Sequence, residues 1–253
     1  MTRRRFYATP DSFSADKTSA TLDADETRHL RDVLRLTIGD EVYVFDGQGR
    51  EFRCAIVEIE RTSVRLKIAE EVAPARPESP IDLALAVALL KGEKFDLVVQ
   101  KATELGVTSL VPIITLRADV KIKTDDDSER KVSRWQRIAL EATKQCGRAR
   151  LMKIEAPTSF ARLINQPAKA GEGRLMFAER EGVSFETALQ ALPNHPDRVT
   201  ALIGSEGGFS DEEIAQARDS DWKIITLGGR IMRAETAAIA IAALLQHRFG
   251  DLT

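Results

Sequence analysis

The chain is poor in cysteine and histidine: Cys54, Cys146, His29, His195 and His247 are all it has in 253 residues. Scattered in this way they offer neither a metal-ligand spacing nor a disulfide framework, so no zinc site and no structural disulfide is expected. Long apolar runs are missing too. The longest uncharged one, 237–245, is about half of the roughly 20 residues that cross a bilayer, and no membrane span is expected. Arg3, Arg4 and Arg5 stand near the start, but no apolar stretch of roughly 7–15 residues follows as a secretory signal requires, so a cytoplasmic protein is expected. Nor is there an excess of one charge. With 37 Lys and Arg against 39 Asp and Glu the formal net charge is −2, which excludes nucleic-acid binding by bulk charge and confines any polyanion contact to local patches.

The composition is 43% hydrophobic, enough to bury a core in one large or two modest domains. Positions 26–36 read as a short helix with Leu30, Val33 and Leu34 on one side and Arg28, Arg31 and Arg35 near another. Positions 42–69 read as a β-meander, with Asp46-Gly47 as a hairpin signal between apolar segments. Three prolines in 73–80 make a stiff linker, so the boundary is placed there, between a domain at 1–72 and a domain at 81–253. Beyond it, apolar runs at 81–90, 110–115, 174–178, 199–203 and 223–227 alternate with helical patterns at 95–105, 130–146, 185–192, 211–218 and 234–247. That alternation predicts an α/β fold, a mostly parallel sheet with helices on both faces. The stretch 129–150 is locally basic, with Arg130, Lys131, Arg134, Arg137, Lys144, Arg148 and Arg150 against Glu129 and Glu141. A solvated helix face is the plain reading of it, and a polyanion contact the functional one.

Two loops carry candidate chemistry. LIGSEGGFS at 202–210 follows one strand and LGGRIMRAET at 227–236 follows another. Their glycines permit close backbone approach, and Ser210 with Glu213 forms a capping box for the helix that follows. Loops at the carboxyl ends of neighbouring strands make one pocket. The helix after the second loop is apolar on every side, so it needs cover all round, from its own sheet and most simply from a second subunit.

These two loops resemble the paired C-terminal motifs of the RsmE-type methyltransferases, which methylate N3 of a uridine in 16S ribosomal RNA of the small subunit. KGEKF at 91–95, QKATELG at 100–106, KQCGR at 144–148, HLRDVLR at 29–35 and Gly39-Asp40 extend the resemblance over nearly the whole chain. Ser205 and Gly229 stand where the family usually has proline, which alters loop stiffness more than chemistry. The resemblance implies a PUA-like RNA-binding β-barrel at the N-terminus and a SPOUT domain with a trefoil knot that works as a homodimer. S-adenosyl-L-methionine would be the cofactor, and small-subunit ribosomal RNA or the assembled subunit the partner, with no metal. It places the cofactor on Leu202, Ile203, Gly204, Glu206, Gly207, Leu227, Gly228, Ile231, Met232 and Thr236. Arg233 would stabilise charge developing on the base. Glu235 is a second catalytic candidate, although a carboxylate there also suits a helix N-terminus. RNA contacts are expected from Arg3, Arg4, Arg5, Arg28, Arg31, Arg35, Lys91, Lys94, Gln145 and Arg148. The general base is not assigned. Two other readings stay open: a non-catalytic RNA-binding or ribosome-assembly protein of the same fold, and a ribose 2′-O-methyltransferase.

Overall fold

The computed structural model describes residues 3–122, 124–193 and 196–252, so His195 lies outside the described residues. They form two compact units. The chain leaves the first between Glu78 and Ser79, and the stretch Leu140–Leu151 returns to it.

In the first unit, β1 (Arg5–Tyr7), β2 (Ser19–Leu22), α1 (Ala24–Arg28), β3 (Glu41–Phe45), β4 (Glu51–Ile59) and β5 (Val64–Val72) follow in order. The described strands make one sheet in the order β1-β3-β4-β5-β2, in which β1 runs parallel to β3 and the other pairs are antiparallel. Alternation along β3 puts Val42 and Val44 into a core with Phe6, Leu22, Leu30, Phe52 and Leu66. The helix expected over 26–36 is shorter and irregular. Asp23 caps α1 by accepting from Asp25 and Glu26 N–H, and the chain then widens into a π-turn at His29–Val33, with Leu34 N–H bonded to His29 O at 3.0 Å. An i to i−5 turn rotates the residues after it off the original face. Leu30 is therefore buried, whereas Val33 and Leu34 are 68% and 39% exposed and do not pack on the sheet as the periodicity had suggested.

The second unit begins with β6 (Asp82–Ala88), α2 (Lys94–Glu104), β7 (Ser109–Ile114) and α3 (Asp125–Cys146), whose last turns belong to the first unit. It continues through β8 (Lys153–Ile154), β9 (Thr158–Ser159), α4 (Phe160–Ile164), β10 (Glu172–Phe177), α5 (Phe185–Gln190), β11 (Arg198–Ile203), α6 (Asp211–Asp219), β12 (Lys223–Ile225) and α7 (Ala234–Phe249). Its described strands run in the order β12-β10-β11-β6-β7-β8, with β9 beside β7, and every pair is parallel. Such strands are covered on both faces, which is why their sequences read as continuous apolar runs. One face carries Leu83, Leu85, Val87 and Leu175 against α2 and α7; the other carries Ala86, Met176 and Leu202 against Phe160, Ile214 and Trp222. Helix α7 buries Ala238, Ile241, Ala242 and Leu245, while Thr236 is exposed and Leu244 is 39% exposed. Within a single chain it is thus covered on one side and not all round.

Candidate active site

Three neighbouring strands end together. Phe177 pairs with Ile203 on β11 and with Ile225 on β12, so the segments that leave β10, β11 and β12 emerge from one edge of the sheet. The crevice outside the carboxyl ends of strands is where open α/β sheets bind ligands. A cleft of ≈ 420 Å³ opens there, within the range of small-molecule sites.

The loop after β11 is held from several directions. Gly208 N–H donates to Ser205 O at 2.9 Å, closing a turn in which Gly208 takes φ +64°, a left-handed value that suits glycine. The expected capping box forms: Ser210 Oγ accepts from Glu213 N–H, and a Glu213 carboxylate oxygen accepts from Ser210 N–H. The other Glu213 oxygen accepts from Leu116 N–H at 2.9 Å. Arg117 donates to Gly207 O at 3.2 Å, and Ser205 Oγ donates to Arg117 O. At the tip, Lys94 Nζ lies 2.6 Å from Glu206 Oε1. Burial is the strongest single influence on Glu206 and opposes its ionisation, but the hydrogen bond from Lys94, a backbone hydrogen bond and the Lys94 charge together outweigh it and hold the carboxyl below its usual range.

The loop after β12 is the opposite case. Among the described residues its backbone from Leu227 to Met232 makes no main-chain hydrogen bond, and a Cβ added at Gly228 or Gly229 would meet nothing within 4 Å. Those N–H and C=O groups border the cleft and are free to pair with a ligand. Arg233 ends the loop as N-cap of α7; its side chain is exposed, lines the cleft, and has no partner among the described residues.

Of the residues expected around the cofactor, Ile203, Gly204, Glu206, Leu227, Gly228, Ile231 and Met232 line the cleft. Three others lie elsewhere. The Leu202 side chain is buried in the apolar layer on the far face, because β11 alternates. Gly207 faces away: a Cβ there would meet Arg117 Cβ at 3.0 Å and Arg117 O at 3.1 Å. Thr236 is exposed on the first turn of α7 and is not among the lining residues. Glu235 is buried beneath that turn, with Oε2 enclosed and unpaired, rather than in the cleft. Sequence reasoning missed Phe177, Ala178 and Glu179, which form a third wall. The glycine loops announce themselves by composition, whereas the end of β10 is marked only by its place between β11 and β12.

The arginines expected to bind RNA divide into two kinds. In the first unit the Arg5 side chain is only 6% exposed, pairs with the enclosed Glu51 at 3.1 Å, and donates to the carbonyls of Thr143, Lys144 and Arg148. Arg148 is likewise buried and pairs with Glu78 at 2.8 Å. Neither presents its guanidinium to solvent, because Arg5 satisfies main-chain and carboxylate groups and Arg148 a carboxylate inside the unit; this corrects their assignment to an RNA-facing surface. Arg3 also reaches Glu51 and lies over the Tyr43 ring, but remains partly exposed. Arg4, Arg35 and Gln145 are exposed, and Arg28 and Arg31 make exposed pairs with Asp25 and Asp32. In the second unit Lys91 pairs with Asp119 at 2.7 Å, and Lys94 pairs with Glu206.

Comparison with known proteins adds the following. The family model described as RNA methyltransferase domain matches residues 77–246, and that described as RNA methyltransferase PUA domain matches 22–69. Ribosomal RNA small subunit methyltransferase E of Synechocystis is 32% identical over 227 residues, covering 89% of this chain and 72% of that protein. The protein of the same name from Rickettsia conorii is 30% identical over 96% of this chain and 95% of its own length. Among solved structures, the Neisseria gonorrhoeae protein of that name bound to S-adenosyl methionine superimposes with a TM-score of 0.86 at 27% identity over the whole of both chains. A Legionella pneumophila structure with bound cofactor SAM gives 0.87 at 31% identity, again over both whole chains.

Proposed function

The chain belongs to the RNA methyltransferase family that includes ribosomal RNA small subunit methyltransferase E, and on that premise we propose that it transfers a methyl group from S-adenosyl-L-methionine to N3 of a uridine in 16S ribosomal RNA. The observation that carries the reading is the cleft at the ends of β10, β11 and β12, bordered by the unpaired main chain of 227–232. Backbone groups of Leu227, Gly228 and Ile231 would hold the adenosine portion, and Gly204 lines the opposite wall with its Cα edge against Phe209. Met232 and Ile203 supply apolar contact. When bound, S-adenosyl-L-methionine supplies an electrophilic methyl group on a sulfonium. Uracil N3 must give up its proton to attack, and negative charge then spreads over the carbonyl oxygens of the base. Arg233, unpaired at the mouth of the cleft, is placed to meet that charge. Holding both reactants in line supplies much of the rate. N3 takes part in pairing inside a helix, so the target uridine enters unpaired or flipped.

The small unit grips RNA, and its exposed Arg4, Arg28, Arg31, Arg35 and Gln145 are the contacts we propose there, with Lys91 and Lys94 serving in the larger unit. A second copy of the chain covers the exposed side of α7 around Leu244, giving a homodimer. Among the described residues no helix is long and apolar enough to cross a membrane, and we place the reaction in the cytoplasm, where ribosomal RNA is made. The decisive measurement is nucleoside mass spectrometry of 16S ribosomal RNA from a strain lacking the protein. Loss of one N3-methyluridine, restored by the purified protein with S-adenosyl-L-methionine, is expected. Unchanged base methylation would sink the proposal, and loss of a ribose methyl instead would make the enzyme a 2′-O-methyltransferase.

A further inference from the structure

The opposite ends of the same strands hold a second cleft, of ≈ 370 Å³. Registers place Arg174, Thr200 and Ala84 in one row across β10, β11 and β6, and Glu172, Arg198 and Asp82 in another, so the positions nearest the amino ends are mostly polar on a face that is apolar further along. Parallel strands covered on both faces are ordinarily apolar throughout. Arg198 and Glu172 account for each other: Arg198 pairs with Asp82 and Glu172, and Thr200 donates to Glu172.

Arg174 is not accounted for in this way. It is buried, donates to Ile164 O at 2.8 Å and Ser220 O at 3.3 Å, and its guanidinium carbon lies 4.5 Å from the centre of the Trp222 ring. Among the described residues it forms no direct ion pair, and burial pulls its pKa below the ordinary arginine value although the charges of Glu172 and Asp221 oppose this. Two further groups in the wall, Trp222 Nε1 and Thr158 Oγ1, are enclosed with no hydrogen-bond partner. A buried cation whose neighbouring carboxylates, Glu172 and Asp221, make no direct ion pair with it, and an enclosed indole N–H without an acceptor, are each costly, and the two occur side by side. The wall carries Arg162, Lys169, Arg174 and Arg198 with Glu155 and Glu172; Asp82 offsets Arg198, and Arg162 and Lys169 are the exposed cations.

We propose that this second cleft is an oxyanion site that takes a phosphate group on Arg174, Trp222 and Thr158. A phosphate offers acceptors to all three and a direct ion pair to Arg174, which Glu172 and Asp221 do not make. Arg162 and Lys169 at the wall draw the anion in. The site does not depend on the cofactor reading, since its walls come from the amino ends of strands whose carboxyl ends form the first cleft.

The test is titration of the full chain with inorganic phosphate at constant ionic strength, followed by calorimetry and by thermal melting. Saturable binding is expected, with Tm rising as phosphate is added, as for any ligand of the folded state. Trp222→Phe keeps the ring under Arg174 and removes the N–H; Thr158→Val removes the hydroxyl. Each should weaken phosphate about tenfold, the worth of one hydrogen bond to a charged group, and leave binding of S-adenosyl-L-methionine unchanged. These two variants carry the test even where Arg174→Gln fails to fold. A competition arm distinguishes the sources of phosphate. A phosphate on an RNA chain is indicated when Thr158→Val also weakens RNA and free phosphate displaces it; a free phosphate or phosphomonoester is indicated when RNA affinity stays the same. Absence of saturation, or phosphate binding that neither Trp222→Phe nor Thr158→Val alters, would overturn the proposal.

Discussion

Lys94 Nζ and Glu206 Oε1 lie 2.6 Å apart, joining the first residue of α2 to the tip of the glycine loop across 112 positions of sequence. Both side chains are about one-third exposed, so the pair contributes under about 1 kcal/mol to folding. Its effect falls on the loop. Lys94→Met is expected to leave Tm within about 2 °C of the parent and to weaken cofactor binding several-fold, because Glu206 is then held only by its own turn. Calorimetric titration of the variant checks this, and a large loss of Tm with unchanged affinity would mean that the pair is structural.

The two glycine loops should respond differently to a side chain. At Gly228 a Cβ meets nothing within 4 Å, so Gly228→Val should fold normally and lose cofactor affinity by tenfold or more, its side chain standing where the ligand approaches. Gly207 borders Arg117 rather than the cleft, so Gly207→Val should displace the backbone at Arg117 and act first on stability, by about 1–3 kcal/mol. Melting curves and cofactor titrations of both variants are the measurement. Equal loss of cofactor at equal stability would return Gly207 to the pocket wall.

Arg233→Ala separates binding from chemistry. With no partner to lose among the described residues, the residue should leave Tm and cofactor Kd nearly unchanged, while kcat falls by about 10²–10³ if it meets charge that develops only in the transition state. Single-turnover methylation of an RNA fragment gives the rate. Parallel loss in Kd and kcat would move Arg233 into cofactor binding.

Burial sorts the arginines of the small unit. Arg5→Ala leaves the enclosed Glu51 with Arg3 as its remaining guanidinium and removes one donor from each of three carbonyls, so a loss of about 3 kcal/mol or more is expected, visible in urea unfolding. The Arg28/Arg31/Arg35→Ala triple variant should keep its stability, since its partners are exposed, and should weaken RNA with a flatter salt dependence. Unchanged RNA affinity across a salt series would show this face to be merely solvated.

Much of this was legible in the chain itself. The alternation of apolar runs with helical periods set the α/β class, and Ser210 with Glu213 marked the start of α6, because hydrophobic period and capping are interactions between residues a few positions apart. The paired glycine loops were visible by composition for the same local reason. What the sequence did not decide was which strands are neighbours. Placing β10 between β11 and β12 brings Glu179 to the cleft, and the alternation of β11 takes the Leu202 side chain out of it. Burial of Arg5 and Arg148 was hidden in the same way. Their carboxylate partners Glu51 and Glu78 stand 46 and 70 positions away, and no local pattern distinguishes an arginine that will meet a buried carboxylate from one left to solvent. The π-turn at His29–Val33 shows the limit within a single element, where one widened turn moved Val33 and Leu34 from the core to the surface against their helical period. Local chemistry thus chose the elements, while strand order and burial, which depend on groups far apart in the chain, decided which side chains face the cleft.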